Sequence, residues 1–299
     1  MEKGKKIKTK GSLKFASQVI VSCLGLWWVY YNLRDIDWSG SAVNFAGISW
    51  GLVAASIILF CLTWGSRLCR LRLWIEKRSG TKLSTANWIG LYLKSIALGA
   101  VTPARLGDFS RITLLADTGL SLGQRSRLVL LDKLADLLYV PVGFCLTAWV
   151  VGPQLGVSVL GLFLFGLVTL VGMVFILYWF GRNLGIGTLA SGWFLTGMGL
   201  ILFIGANTFL FRAAGIELSV QEIAAIILTV GVLAAMPVSV GGLGVREGSL
   251  FSLLSYWGVN EELIAPLLLF EFCLNMVLPV FLFLGWEVLT RSRTGINRQ

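Results

Sequence analysis

The stretch LGAVTPARLGDFSRITLLADTGLSLGQRSRLVLLDKLAD, residues Leu98 to Asp136, decides how this chain is read. It sets Arg105, Asp108, Arg111, Asp132, Lys133 and Asp136 within or against strongly apolar sequence. A charge at the centre of a bilayer costs about 2.5 to 3.5 kcal/mol on insertion scales unless it is paired or hydrated. Charges in that setting predict a polar site inside a membrane. A second cluster, PVSVGGLGVRE from Pro237 to Glu247, interrupts a later apolar run. The two clusters share a chemical plan of a proline, a glycine-rich turn, an arginine and a carboxylate.

Composition supports the same setting. Hydrophobic residues make up 56% of the chain and charged residues 13%, against about a quarter charged in soluble domains. The length suits roughly seven or eight helical passages in one membrane domain. That domain is expected over residues 15–290, between basic cytoplasmic tails at 1–14 and 291–299. Lys3, Lys5, Lys6, Lys8, Lys10 and Lys14 crowd the first tail, and a polybasic segment beside a membrane helix faces anionic lipid headgroups rather than nucleic acid. The first apolar run, Phe15 to Tyr31, continues into NLRDIDW instead of a small-residue cleavage site, so it reads as an uncleaved anchor. Cys23, Cys61, Cys69, Cys145 and Cys273 form no CxxC pair and act as small hydrophobes. The chain has no histidine, which removes the commonest metal ligand and a histidine-based triad. Neither glycine-rich loop has the GxxxxGK[ST] pattern of a nucleotide-binding P-loop. No metal, cofactor or catalytic residue is expected.

Basic residues set the expected topology. Arg67, Arg70, Arg72, Lys77, Arg78 and Lys82 follow an apolar run from about Ile48 to Trp64 and mark a cytoplasmic loop. The next run, Trp88 to Val101, stops at TPARLGD, short of the roughly 20 residues a straight span needs. It reads as a half-helix, with a second half-helix over Phe109 to Ala116 returning the chain so that Arg125 and Arg127 stay cytoplasmic. Full passages follow over Leu128 to Val151, Val157 to Phe180 and Trp193 to Phe211. The segment Val220 to Met236 breaks at the second cluster and resumes as Gly248 to Trp257. A last helix, Leu263 to Leu289, is expected to bend at Pro279. The predicted fold is an all-α polytopic transmembrane bundle with two re-entrant broken-helix hairpins of opposite orientation, the inverted-repeat plan of transporters with midplane sites. Both termini fall on the cytoplasmic side.

Asp132 and Asp136 share one helix face, and Lys133 lies three before Asp136. Paired carboxylates can serve acid–base catalysis, but beside cations in apolar sequence they read better as structural groups or as part of an ion or proton pathway. Arg105 and Arg246 offer planar donor forks suited to phosphate. Pairing with Asp108 and Glu247 is the competing reading, and both stand at this stage. Gly107, Gly241, Gly242 and Gly244 would let backbone amides approach an anionic group, or serve close packing. Glu271 and Asn275 are one turn apart in the last helix and are expected to line the same cavity. Lys94 shares a face with Gly90 and Ala97, which suggests an interior position, with simple charge neutralisation as the alternative.

These segments together resemble a known family. TPARLGDFSRITLL, LLDKLADLL and PVSVGGLGVREGSL look like the hallmark segments of the lysylphosphatidylglycerol synthase transmembrane-region family, flippase-like integral membrane proteins. Its PxRLGE segment and later arginine are matched at Pro103, Arg105, Leu106, Gly107, Asp108 and Arg111. Its ERxxD pattern corresponds to Asp132, Lys133 and Asp136, with lysine replacing the planar arginine. Its PxSxGGLGxRE segment is matched at Pro237, Ser239, Gly241, Gly242, Leu243, Gly244, Arg246 and Glu247. The resemblance implies movement of lipids, or of lipid-linked amino acids or sugars, between leaflets of a prokaryotic cytoplasmic membrane. Some members carry a soluble aminoacyltransferase domain, which these residues leave no room for, so translocation rather than synthesis is expected. The substrate would be an anionic, aminoacyl or lipid-linked species, and a separate lipid-modifying enzyme is a conceivable partner. A membrane-embedded headgroup transferase and a non-transporting accessory subunit are the rival readings, and the oligomer is left open.

Overall fold

The computed structural model describes residues 20, 22–24, 26–27, 30–31, 34, 47–102, 105–155, 159–235 and 239–296. The basic tail 1–14, most of the first apolar run, Pro103, Pro237 and Arg298 lie outside the described residues. What is described is all-helical.

Helix α1, Trp50–Ser79, is longer than the sequence suggests. It runs straight through the arginines read as a loop, because nothing from Ser66 onward breaks it before Gly80, and Arg and Leu are good helix formers. Gly80 closes it in the left-handed region with φ 69°, its N–H donating to the Glu76 carbonyl, while Lys77 and Arg78 face the negative end of the helix. Helix α2, Thr85–Val101, starts on Ser84, whose Oγ accepts from the Asn87 N–H at 3.2 Å.

The chain then breaks, as expected before Pro103, whose ring disfavours helix in the residue before it. Arg105 turns it with φ 53°, the one positive φ at a non-glycine residue among those described. The expected half-helix over Phe109 to Ala116 is instead a 3₁₀ turn, Leu106–Ser110, a single α turn α3, Arg111–Leu114, and another 3₁₀ turn, Ala116–Thr118. This segment is pressed onto α2. A side chain at Gly107 would run into the Leu98 backbone, and the Gly107 N–H donates to Thr102 Oγ1 at 2.7 Å.

A Ser121–Gln124 capping box starts helix α4, Leu122–Asp136, and helix α5 spans Tyr139–Leu155. The single passage expected over Leu128 to Val151 is therefore two helices. Pro141 has no N–H to give the Leu137 carbonyl, and the chain turns at that point. Helices α6, Val159–Gly181, α7, Ile186–Ala213, and α8, Val220–Ala235, follow. After the second break come α9, Val245–Tyr256, and α10, Glu261–Phe272. A π turn at Cys273–Val277 leads into α11, Leu278–Ile296. The irregularity expected at Pro279 thus sits just ahead of it, where the proline leaves the Asn275 carbonyl without a helical donor.

Among the described residues four helices are long and apolar enough to cross a membrane: Trp50–Ser79, Phe163–Leu184, Ile186–Ala213 and Glu261–Thr290. That is fewer than the roughly seven or eight passages expected. Helices α2, α5 and α8 have 17, 17 and 16 residues and fall just short. Helix α1 packs along α7, where a side chain at Gly192 would strike the Trp74 indole. One apolar core gathers Phe60, Phe211, Ile223, Leu254 and Ile264, and a second gathers Leu71, Trp74, Trp88, Leu131 and Leu177. Helix α6 turns Val168, Val171 and Phe175 outward, a surface suited to lipid rather than water.

Candidate functional site

Asp132, fully buried on α4, is the centre of a tight charge lattice. Arg70 of α1 donates to its Oδ1 from Nε at 2.8 Å and Nη2 at 2.7 Å. Arg111 of α3 donates from Nη1 to Oδ2 at 2.7 Å. Both guanidiniums are anchored further. Arg70 reaches Asp136 Oδ1 at 2.6 Å and Thr196 Oγ1 at 2.9 Å, while Arg111 Nε reaches Ser95 Oγ at 2.7 Å and its guanidinium lies 4.5 Å from the Tyr92 ring centroid. Burying charge is costly unless partners of this quality offset the lost hydration.

Around this lattice the contacts loosen. Lys133 Nζ lies 3.7 Å from Asp136, the partner its spacing allows, and nearer still, at 2.5 Å, to Asp108 Oδ2. Arg105 Nε is 3.8 Å from Asp108, with 40% of its side chain exposed. Arg67 Nε is 3.6 Å from Asp136, with 30% exposed. These two cations are held by charge proximity rather than by short hydrogen bonds.

The second break builds another cluster. Gly241, Gly242 and Gly244 all have positive φ, 59°, 86° and 79°, values that a Cβ makes strained. The Gly244 N–H donates to Glu247 Oε2 at 2.7 Å and so caps α9, an amide that the sequence reading had offered to a ligand. Glu247 Oε1 accepts from Arg246 Nη2 at 2.5 Å and Nε at 3.1 Å, so the competing internal pairing is present for Arg246. Glu271, buried on α10, accepts at Oε2 from Asn275 Nδ2 at 2.8 Å. The two breaks touch, with the Gly241 N–H donating to the Thr102 carbonyl at 3.2 Å.

Between them lies a cavity of about 570 Å³, within the size range of small-ligand sites. Arg67, Arg70, Arg105, Asp108, Arg111, Lys133 and Asp136 line it from the first side, and Arg246, Glu271 and Asn275 from the second. Phe60, Trp64, Leu200 and Phe203 supply apolar wall. Asp132 and Glu247 lie behind the lining as partners of its arginines, and Gly241 borders the space while Gly242 and Gly244 do not. Six cations (Arg67, Arg70, Arg105, Arg111, Lys133, Arg246) stand against five carboxylates (Asp108, Asp132, Asp136, Glu247, Glu271), so the wall carries a positive excess.

Sequence reasoning missed Arg67 and Arg70, which it counted only as markers of a cytoplasmic loop. A legible signal existed: Thr63, Ser66, Arg70 and Trp74 fall at helical spacing on one buried stripe. Lys94 is exposed, not interior, because the buried face of α2 runs through Tyr92, Ser95, Ile96 and Gly99.

The family model for the lysylphosphatidylglycerol synthase transmembrane region matches residues 15–186. The match takes in α1 to α6 with the first break, and the second cluster lies outside it. A search of curated proteins finds no match.

Proposed function

The chain belongs to the lysylphosphatidylglycerol synthase transmembrane-region family, and from that premise we propose that it moves a lipid with an anionic headgroup between membrane leaflets. The observation that carries this reading is the cation-rich cavity, open to charge on one part of its wall and apolar on the rest. A guanidinium forks onto phosphate oxygens, and Arg105 and Arg67 are the cavity cations least committed to protein partners. The headgroup would cross through this polar interior while the acyl chains stay in the lipid phase. Asp108, Asp132, Asp136 and Glu247 offset part of the cationic charge when no headgroup is bound.

In this reading the breaks after α2 and α8 are re-entrant hairpins entering from opposite faces of a prokaryotic cytoplasmic membrane. Their short helices and the Gly241–Thr102 hydrogen bond support that arrangement. The activity is translocation without bond making, and a separate lipid-modifying enzyme would supply the substrate.

The test is lipid mass spectrometry on the gently purified protein, wild type against Arg105→Ala and Arg246→Ala. Enrichment of one anionic or lipid-linked species, depleted at least several-fold in both variants, is the expected result. Lipids matching the bulk membrane in all three samples would remove the headgroup site.

A further inference from the structure

Glu271 is the one of the five carboxylates counted above that has no ion-pair contact with a cation among the described residues. It is 6% exposed and lines the cavity, and while Oε2 accepts from Asn275, Oε1 has no hydrogen-bond partner among the described residues. It sits two residues ahead of the π turn Cys273–Val277, a helix irregularity that recurs at functional positions.

Its neighbours do not neutralise it. The charged groups on its own helix and on the elements packed around it are Glu261 and Glu262 at the start of α10, Arg246 and Glu247 on α9, Lys94 on α2, Arg212 on α7, and Glu287, Arg291 and Arg293 on α11, the last two beyond Glu287. Lys94 and Arg212 are exposed, and Arg212 donates to the Leu218 carbonyl. Glu287 lies more than four helical turns further along. Arg246 gives its short contacts to Glu247. Among the described residues Arg246 is within ion-pair distance of Glu247 and not of Glu271, so Glu271 is buried without a cation of its own. In that setting an unmatched charge is expensive and a proton is the cheapest way to remove it.

We propose that Glu271 carries an exchangeable proton that travels with the lipid headgroup, so that lipid movement is coupled to proton flow. This rests on the lipid-translocation reading. An anionic headgroup reaching Arg246 adds a negative charge to a cluster already short of positive charge, and Glu271 holds its proton while the headgroup is bound. When the headgroup leaves, water filling the cavity solvates the carboxylate and takes the proton from Oε1. The next proton comes from water on the side where the next lipid enters. One negative charge and one proton cross in the same direction, and the step is electroneutral.

Two measurements on the full chain test this. Infrared spectroscopy of the purified protein at neutral pH should show the carbonyl stretch of a protonated carboxylic acid, lost on alkaline titration and missing in Glu271→Gln. Absence of the band, or its persistence in the variant, overturns the proposal. In vesicles carrying a trace of acyl-chain-labelled phosphatidylglycerol, a pH difference should enrich the label in the leaflet facing the alkaline side. One proton per lipid corresponds to about tenfold enrichment per pH unit, since tenfold in either activity is the same free energy. The enrichment is read relative to protein-free vesicles and should vanish when an electroneutral potassium/proton exchanger in equal potassium collapses the pH difference, and in Glu271→Gln. Label that exchanges but ignores the gradient in wild type overturns the coupling and leaves lipid movement standing. Label that wild type does not move at all overturns both.

Discussion

Asp132 and Glu271 are both buried carboxylates, one just behind the cavity wall and one in it, and the structure treats them in opposite ways. Asp132 has each oxygen met by a guanidinium at 2.8 Å or less, and those guanidiniums are tied to Asp136, Thr196 and Ser95 in turn. Glu271 has one amide contact and one unmet oxygen, and the nearest arginine is engaged by another acid. The difference separates architecture from availability. A fully matched buried ion pair fixes three helices against one another and has nothing left to give a ligand. A carboxylate in surplus can change its charge without dismantling the fold.

The sharpest way to break this contrast is Asp132→Ala. It leaves Arg70 and Arg111 buried without their shared partner, and removing one member of a buried pair costs about 3 to 5 kcal/mol. The expected outcome is loss of folded protein on size-exclusion chromatography or a large drop in the thermal midpoint in detergent. Retention of wild-type stability would mean that the lattice does not hold α1, α3 and α4 together.

Glu247→Ala comes next. It removes both the acceptor for the Gly244 N–H at the start of α9 and the partner of Arg246. Hydrogen bonds to charged groups contribute about 1.5 to 3 kcal/mol, so the midpoint should fall, though less than for Asp132→Ala. Equal loss in the two variants would erase the distinction between the clusters.

Glu271→Gln should cost about 1 kcal/mol or less, the range of substitutions that create no cavity and strand no charge. A glutamine reproduces the shape of a protonated glutamate and can still accept from Asn275. The matched variant Asp132→Asn should be several times more costly, because there the charge itself is what the two arginines require. Comparing the two amide substitutions by thermal unfolding tests the proton on Glu271 through stability alone.

How far the sequence reveals these two regions follows from the range of the contacts. The polar breaks, the Glu271–Asn275 pair and the Arg246–Glu247 pair are local in sequence and could be read from spacing. The membrane setting followed from composition. The lattice was hidden because Arg70 meets Asp132 across 62 positions, and a basic stretch after an apolar run gives the same signal whether it is a loop or the continuation of a helix. Lys133 illustrates the same limit: its helical neighbour Asp136 was the visible partner, yet Asp108, brought close by the turn at Arg105, is the nearer one. Glycine spacing was legible, but whether an amide would face a ligand or a capping carboxylate depended on the rotamer of Glu247.

The smallest expected effect on stability belongs to Arg105→Ala, which sharpens the contrast from its other end. The side chain is 40% exposed and its nearest carboxylate is 3.8 Å away, and ion pairs of that kind contribute about 0 to 1 kcal/mol. Its backbone has φ 53°, a strain that alanine shares with arginine, so the substitution neither relieves nor adds to it. The thermal midpoint should therefore stay close to wild type while retention of anionic lipid falls. A variant that loses stability along with lipid would make Arg105 part of the lattice. One that keeps both would shift the headgroup contact to Arg67, the other cavity cation without a short hydrogen bond to its carboxylate.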